Sequence, residues 1–359
     1  MTYRKKQKLI RWMIMLFTIM GLLISIVHYL PDIFSVASNQ ESHLPKEINI
    51  GYLRVPNDEM IAIEKKLITQ QFEPLGIKIN FLVFDSGVEA NKALAAANID
   101  FATMGITNGV VALSKGLDVE LIWLHELLGT NEALVVKENR RINSFEELKG
   151  KTIATTFAST SHYSLKKALE LHDMVKDVTL LDMKTIDIAA AWKRDDVDAA
   201  YTWDPILTTI TEDGGETLLS SKDLVEEGVV TANVMIGRKG FTHRYPKLTA
   251  MILKGIMQGS DYYRESPEQA AELVAASLEI SPEIALMQMS GTIWLTTDEL
   301  LSKAYLGNNS LEGDFNQVIA EISAFLKQEK EITKLPSAVE IADFVNASYI
   351  EKALEVDES

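Results

Sequence analysis

The sequence predicts an α/β protein with two lobes, joined by two strand-like crossovers and followed by a helical C-terminal part. Short apolar runs alternate with longer helical patterns from Ile48 onwards, which is typical of a largely parallel sheet covered by helices. Residues 46–359 number 314, which is too many for one core of ordinary size. A late apolar run, Val234–Gly237, predicts a strand that returns to the first lobe.

The first lobe is predicted to start with residues 46–137. Its strand-like runs are Ile48–Leu53, Ile77–Phe84, Phe101–Met104, Val119–Trp123 and Ala133–Val136, with helical patterns at Glu59–Phe72 and Val88–Ala97. Residues 234–359 are predicted to complete this lobe. After Tyr245 they show helical patterns at Leu248–Tyr263, Pro267–Ser277, Pro282–Ser290, Thr297–Tyr305 and Phe315–Gln328.

The second lobe is predicted over residues 138–233. It opens near Asn143, where Ser144 and Glu147 have the spacing of a capping box. Its strands are predicted at Thr152–Thr156, Val178–Leu181 and Ala199–Thr202, and its helices at Tyr163–Leu171 and Ile186–Arg194. A hinged clamp of this kind holds its ligand in the cleft, near the carboxyl ends of the strands.

Residues 1–45 predict a basic cytoplasmic stub, a membrane-crossing helix and a linker. Five basic side chains precede the apolar run Trp12–Leu30, whose 19 residues are long enough to cross a bilayer. The positive flank places that end in the cytoplasm and everything after Pro31 outside. A cleavable signal peptide is the alternative, because Ser35-Val36-Ala37 offers the small residues that a signal peptidase needs. The length of the apolar run favours an uncleaved anchor.

The composition excludes several classes of function. Residues 46–359 contain 30 basic and 49 acidic side chains, a net charge of −19, so their surface repels nucleic acid. The chain has no cysteine, which excludes disulfides, cysteine–metal sites and cysteine nucleophiles. The sequence has no glycine-rich phosphate loop with its lysine, so ATP hydrolysis would belong to another subunit.

The histidines do not form a coherent catalytic set. His125 and Glu126 are adjacent, a spacing that does not put two side chains on one helical face. His162 lies among hydroxyl side chains, but no nucleophile elbow surrounds it. We therefore expect a protein that binds its ligand without chemistry, and we expect no cofactor and no metal.

A block of hydroxyl side chains gives the clearest functional signal. Five hydroxyl groups lie within Ser159–Ser164, between a predicted strand and a predicted helix. The first N–H groups of a helix lack internal partners and the helix dipole adds partial positive charge, so such a junction binds anions. In the plainer interpretation one hydroxyl caps the helix and the others face water. The neighbouring polar blocks favour a ligand site; they are Phe84–Gly87, Leu128–Leu134 and Ala200–Pro205.

In these blocks the sequence resembles the substrate-binding proteins of ABC importers for taurine and other alkanesulfonates, a group that also serves nitrate and thiamine precursors. The matching segments are Phe84–Gly87, Gly129–Lys137, Gly150–Ala154, Ser159–Leu165 and Ala190–Trp203. The resemblance implies a two-lobed periplasmic-binding-protein fold of type II. It also implies two sets of ligand contacts: Ser159, Thr160, Ser161 and Tyr163 toward the sulfonate, and Glu132 toward the ammonium group.

The chemistry of the ligand agrees with that division. A sulfonate presents three acceptor oxygens and needs donors, whereas a buried ammonium group needs an acidic or carbonyl partner. Glu132 stands at the start of an apolar strand, so an orientation toward water is the alternative for its side chain.

Two segments depart from the taurine-binding pattern. Where taurine-binding proteins commonly carry Gly-Ser-Ser-Pro, this chain has Gly105-Ile106-Thr107-Asn108, so Thr107 and Asn108 become the candidate donors. Near the returning strand, Asn233 stands where an acid would help to hold the amine. This replacement argues against taurine itself unless another acid compensates.

Three further candidates each have two interpretations. Trp203 either packs in the core or forms an apolar wall for the methylene groups of the ligand. Asp204 either caps the next helix or adds a second acidic contact. Arg54 is either a surface residue or a cation in the cleft.

The sequence thus predicts the extracytoplasmic substrate-binding component of an ABC importer, which captures taurine or a related small sulfonate by closure of its cleft. A permease and its ATPase subunit would be its partners. The alternative is a binding protein or sensor for another small anion or for a ligand like a thiamine precursor. An enzyme related to the pyrimidine-forming members of the group is disfavoured, because those rely on a cysteine-rich segment.

Overall fold

Two mixed sheets of five strands each form the framework of the protein. The computed structural model describes residues 44–356. The first sheet contains β1 (Glu47–Leu53), β2 (Lys78–Phe84), β3 (Phe101–Gly105), β4 (Val119–Leu127) and β10 (Ala232–Arg238). The second contains β5 (Glu132–Lys137), β6 (Thr152–Thr155), β7 (Thr179–Asp182), β8 (Ala199–Trp203) and β9 (Gly215–Ser220). A short hairpin, β11 (Gly307–Asn308) with β12 (Leu311–Glu312), stands apart from both.

Helices cover the sheets and make up most of the C-terminal part. Up to the second sheet they are α1 (Asp58–Glu64), α2 (Thr69–Phe72), α3 (Gly87–Ala95) and α4 (Ile106–Ser114). The second lobe has α5 (Thr160–Leu171), α6 (Thr185–Lys193), α7 (Ile206–Glu212) and α8 (Ser221–Glu226). The C-terminal part has α9 (Lys239–Thr242), α10 (Pro246–Glu265), α11 (Pro267–Leu278), α12 (Pro282–Ser290), α13 (Thr297–Leu300), α14 (Phe315–Gln328), α15 (Ala338–Phe344) and α16 (Ser348–Glu355). Three 3-10 turns lie at Glu73–Leu75, Glu138–Arg140 and Phe145–Leu148.

The predicted α/β class is confirmed, and each sheet combines a parallel part with an antiparallel part. The strand orders are β2-β1-β3-β10-β4 and β7-β6-β8-β5-β9. In the first sheet β10 runs antiparallel to both β3 and β4, and in the second β5 runs antiparallel to both β8 and β9. The chain passes between the sheets at residues 128–131 and 221–231. Both passages connect the end of one sheet at which its parallel strands finish to the corresponding end of the other sheet. The carboxyl ends of the parallel strands in both sheets therefore face a shared crevice.

The second sheet is packed on both faces because its central strands are apolar without interruption. Side chains alternate along β5, so Leu134 and Val136 join one core while Ala133 and Val135 join the other. Helix α5 covers the first of these cores and α6 covers the second, where Trp192 is fully buried. This arrangement fixes the start of α5 at the crevice.

The C-terminal helices complete the core of the first sheet. Phe315, Ile319 and Ile322 recur along one face of α14 at helical spacing and are buried with the strands of that sheet. In the part of the chain that the structure describes, no helix has the length and apolar character to span a bilayer. The predicted membrane span Trp12–Leu30 lies outside that part.

Several predicted boundaries were wrong for local reasons. The predicted helix Glu59–Phe72 is interrupted, because Lys66 adopts a left-handed conformation with φ of 58° and divides it into α1 and α2. The predicted strand Val119–Trp123 extends to Leu127, because the polar residues that seemed to end it are buried. The strand β9 and the helices α7 and α8 were not predicted; their short amphipathic runs gave no clear periodicity.

We expect Gly259→Ala to destabilise the protein, because α10 packs directly on α1 at this glycine. A Cβ at position 259 would lie 2.3 Å from the carbonyl oxygen of Asp58, and forced overpacking of this kind costs about 1–3 kcal/mol. Urea unfolding of the fragment that begins at Lys46 measures the change. Gly240→Ala is the control, since no atom lies within 4 Å of its Cβ position. Equal stabilities of the two variants would contradict the prediction.

Candidate functional site

The candidate site is the crevice between the two sheet edges. Gly105 ends β3 and Leu127 ends β4 on the first-lobe side, and the start of β10 lies between them. On the second-lobe side, Glu132 begins β5 opposite Trp203, the last residue of β8. The structure therefore brings most of the predicted ligand-binding residues to the two edges of one crevice.

Glu132 is the most heavily hydrogen-bonded side chain at this crevice. It is fully buried, and its Oε2 accepts hydrogen bonds from the hydroxyls of Thr160 at 2.5 Å and Ser161 at 2.8 Å. Its Oε1 accepts from Ser221 at 2.7 Å and, at 3.4 Å, from Ser164 and Thr231. Burial raises the pKa of Glu132 above its ordinary value, and the hydroxyl donors oppose that rise.

The resemblance implied that the hydroxyls and Glu132 contact opposite ends of a ligand. The structure shows a different arrangement. Thr160 and Ser161 donate directly to Glu132, so these groups form one network. Ser159 caps α5, because its hydroxyl accepts from the N–H of His162 at 3.2 Å and donates to the Thr156 carbonyl. Hydroxyls at the start of a helix satisfy a buried carboxylate as readily as a sulfonate. The ligand roles predicted for these residues stay predictions.

Tyr163 lies away from the hydroxyl network. Its ring packs edge-on against Phe325 of α14, with 5.2 Å between ring centroids, and it is 1% exposed. Three residues further along α5, Lys166 forms an ion pair of 3.0 Å with Glu329, just beyond the end of α14. Tyr163 therefore helps to join the lobes beside the crevice.

Thr107 and Asn108 lie where the start of α4 approaches the start of α5. The Nδ2 of Asn108 donates to the carbonyl of Ala158 at 3.3 Å, which links the two lobes. Thr107 is fully buried, and its Oγ1 has no hydrogen-bond partner within residues 44–356. Both Thr107 and Thr160 lie within 4 Å of the point where a Cβ on Gly105 would stand. A glycine at 105 thus allows Thr160 to approach the end of β3 closely.

The block Phe84–Gly87 has a structural explanation. Ser86 caps α3, accepting from the N–H of Glu89 at 3.3 Å. A Cβ on Gly87 would lie 2.4 Å from Oδ1 of Asn108, so a glycine is required for Asn108 to hold its position. This block therefore packs against Asn108 in the first turn of α4.

Trp203, Asp204 and Arg54 lie at the rim of the crevice. Trp203 is half-buried, which leaves both interpretations of its ring open. Asp204 accepts from the N–H and the hydroxyl of Thr208, at 3.0 and 2.5 Å, so it stabilises the first turn of α7. Burial raises the pKa of Asp204 to about 6. Arg54 is exposed.

A second group of charged side chains lies buried at the first-lobe edge. Asp58 and Glu59 begin α1, directly after β1, and His125 and Glu126 end β4. The Nδ1 of His125 lies 2.5 Å from Oδ1 of Asp58, and its Nε2 lies 2.8 Å from the hydroxyl of Thr103. The Thr103 hydroxyl in turn donates to Oε2 of Glu59 at 2.6 Å. We call Asp58, Glu59, His125 and Glu126 the first-lobe carboxylate cluster.

Asn233 belongs to the surroundings of this cluster. Its Nδ2 donates to Oε1 of Glu126 at 2.5 Å. The second oxygens, Oε1 of Glu59 and Oε2 of Glu126, are buried and accept no hydrogen bond of ordinary geometry among the described residues, although the neighbouring Asn57 side chain lowers the pKa of Glu126. Glu59 and Glu126 thus each accept a hydrogen bond on only one of their two carboxylate oxygens.

Burial and mutual interactions perturb the pKa values of the cluster. Desolvation raises the pKa of Glu59 and of Glu126 to about 7 each, against the favourable field of His125. For His125 desolvation opposes the charge, yet the facing carboxylates, led by Asp58, raise its pKa to about 9. At neutral pH His125 is therefore charged and paired with Asp58.

A β-bulge explains why His125 and Glu126 could not be predicted to belong to one cluster. Asn233 pairs with Glu126 and Val234 pairs with Leu124, so the extra residue His125 interrupts the alternation along β4. Adjacent residues of a regular strand point to opposite faces, whereas here His125 and Glu126 belong to one cluster. The two adjacent acidic residues directly after β1, Asp58 and Glu59, were the available sequence signal for a buried acidic cluster. Among the described residues no group of histidine and acidic side chains has the geometry to hold a metal ion.

We expect the free energy of unfolding to fall as the pH rises from 6.5 to 9. Glu59, Glu126 and His125 bind protons more tightly in the folded than in the unfolded protein, so the stability they contribute is lost as pH passes their folded pKa values of about 7 and 9. His162, whose pKa burial lowers to about 4, acts in the opposite direction but completes its effect near pH 6.5.

Urea unfolding of the fragment at pH 6.5, 7.5 and 9 measures this slope. Glu126→Gln removes one of the titrating groups and is expected to make the slope shallower. A stability that is constant or increases over this range would contradict the assignment.

Comparisons with known proteins agree with this fold. The chain is 28% identical over 285 residues to the taurine-binding periplasmic protein of Escherichia coli, covering 77% of this chain and 85% of that protein. The periplasmic aliphatic sulphonate binding protein of Escherichia coli superposes with a TM-score of 0.70 at 19% identity, covering 82% of this chain and 91% of that chain. The alkanesulfonate-binding protein from Xanthomonas axonopodis pv. citri, bound to MOPS, superposes with a TM-score of 0.68 at 19% identity, covering 84% and 98%.

The described part therefore has the two-sheet fold of periplasmic binding proteins. The family model described as NMT1/THI5 like matches residues 71–270, more than half of the chain. The chain belongs to the NMT1/THI5-like family.

Proposed function

We propose that this protein is the extracytoplasmic substrate-binding component of an ABC importer and captures taurine or a related small sulfonate. The observation that carries the proposal is the meeting of two helix starts, α4 and α5, at one crevice beside the unpartnered hydroxyl of Thr107. First-turn N–H groups and hydroxyls are donors for a sulfonate, and they require no cationic side chain. The taurine-binding and sulphonate-binding relatives support the same ligand class.

In this proposal the ligand is captured by closure of the two lobes. The first lobe carries the first sheet and the second lobe carries the second sheet, to which β5 (Glu132–Lys137) belongs although its residues were predicted in the first lobe. Rotation about the two passages closes the crevice on the ligand. Residues 1–45 anchor the protein to the outer face of the membrane or direct its export. A permease with its ATPase subunit accepts the ligand from the closed form, since the sequence lacks an ATP-binding loop of its own.

We expect added taurine or an alkanesulfonate to raise the thermal midpoint of the fragment that begins at Lys46. A ligand that binds only the folded state stabilises it by about 2.7 kcal/mol at a hundredfold excess over the dissociation constant. Differential scanning fluorimetry with taurine, ethanesulfonate, nitrate, bicarbonate and a thiamine precursor compares the ligand classes. A shift with nitrate or bicarbonate alone would assign another anion, and no shift with any sulfonate would refute the proposal.

We expect Thr107→Val to weaken sulfonate binding, because valine keeps the shape of the side chain and removes its hydroxyl. A hydrogen bond to a charged group contributes about 1.5–3 kcal/mol, so the dissociation constant should rise about 10- to 100-fold. Isothermal titration calorimetry measures it. Thr249→Val is the matched control: Thr249 is equally buried, on α10, where its hydroxyl donates to the carbonyl of Tyr245. Equal affinities of both variants for the sulfonate would exclude a contact with Thr107.

A further inference from the structure

The first-lobe carboxylate cluster has a composition that does not suit the sulfonate end of a ligand. It combines three carboxyl groups with one histidine, and Asp58, Glu59 and Glu126 are each at most 3% exposed. With its glutamates ionised, the cluster carries more negative than positive charge, so it repels an anion. A buried carboxylate is costly without donors, and a donor of positive charge would compensate both the hydrogen bond and the charge.

Two oxygens of the cluster remain available for such a donor. Oε1 of Glu59 and Oε2 of Glu126 are buried and accept no hydrogen bond of ordinary geometry among the described residues, while the other oxygen of each is bonded to Thr103 and Asn233. Native structures leave few buried polar atoms unpaired, and each of them calls for an explanation. A primary ammonium group has three N–H donors, enough in number for both oxygens.

The cluster also lies at the correct edge of the sheet. His125 and Glu126 end β4, and Asn233 begins the neighbouring antiparallel β10, so both lie where the first sheet meets the crevice. The start of α4, with Thr107, lies at the same edge after β3. The helix start that carries Thr107 and the cluster therefore lie at the same end of the first sheet.

Glu132 is not available for the same task. Both of its oxygens accept hydrogen bonds, two on Oε2 and three on Oε1, from five different hydroxyl groups. An ammonium group would have to displace these donors, and would leave their hydroxyls without acceptors.

Resting on the function proposed above, we propose that Glu126 and Glu59 hold the ammonium group of a zwitterionic aminosulfonate, and that Glu132 is a positioning residue. Asn233 orients Glu126 by bonding its other oxygen. Asn233 in place of an acid then fits a zwitterionic ligand, because the acid is supplied from β4. The specificity of this crevice is for an amine-bearing sulfonate over a plain alkanesulfonate.

The test compares taurine with ethanesulfonate, which has the same carbon chain and sulfonate but no amine. Isothermal titration calorimetry with the fragment that begins at Lys46 gives both dissociation constants. For the unmodified sequence we expect tighter binding of taurine. Glu126→Gln keeps the size of the side chain, and should weaken taurine binding about 10- to 100-fold while ethanesulfonate binding changes less than about threefold.

Two further variants distinguish the acids. Glu59→Gln should reduce the preference for taurine in the same way, and it carries the test if Glu126→Gln does not fold by circular dichroism. Glu120→Gln is the control for the loss of a buried carboxylate on β4, since Glu120 lies at the far end of that strand, bonded to Asn346 and Tyr349. It should keep the preference for taurine.

The outcomes separate this inference from the proposed function. Binding of sulfonates with an unchanged ratio in both Glu126→Gln and Glu59→Gln overturns the inference and leaves the function standing. Loss of the preference in Glu132→Gln with retention in Glu126→Gln assigns the ammonium group to Glu132 and also overturns it. Binding of neither ligand by the unmodified fragment refutes the function itself, and with it the inference.

Discussion

The carboxylate of Glu132 lies buried where both passages between the lobes meet, and the crevice is arranged around it. Hydroxyls from the start of α5, from Ser221 and from Thr231 all donate to it. These donors come from segments far apart in the sequence, so one buried carboxyl group connects the start of α5 and both ends of the second passage to the end of the first. A buried charge is tolerated when its hydrogen bonds are complete, and removal of the donors would leave it uncompensated.

Donors and acceptors are distributed unevenly along the crevice. The helix starts of α4 and α5 present N–H groups and the free hydroxyl of Thr107, whereas the end of β4 presents Glu126. The overall charge of −16 does not decide this pattern, because fixed dipoles dominate at short range within a partly closed crevice. A molecule with an anionic and a cationic end matches such a gradient better than a simple anion does.

Much of the fold was predictable from the sequence, since it rests on local periodicity. Except for β9, the strands of both sheets follow from apolar runs, and the return of β10 to the first sheet follows from Val234–Gly237. The hydroxyl block at Ser159–Ser164 was located correctly at the start of α5. Its partner was not predictable, because a hydrogen bond between Thr160 and Glu132 depends on tertiary packing across 28 residues. Likewise the cluster around His125 depends on a bulge, which a single sequence does not reveal.

That bulge has a consequence for how selectivity is encoded in this chain. Two residues of β4 oppose one residue of β10, so the direction of every side chain beyond this point is set by a one-residue offset in the backbone. An indel in this stretch would exchange the inward and outward faces of the strand's end without altering any other amino acid. The position of the β4 carboxylates at the crevice thus depends on the length of the strand as well as on residue identity.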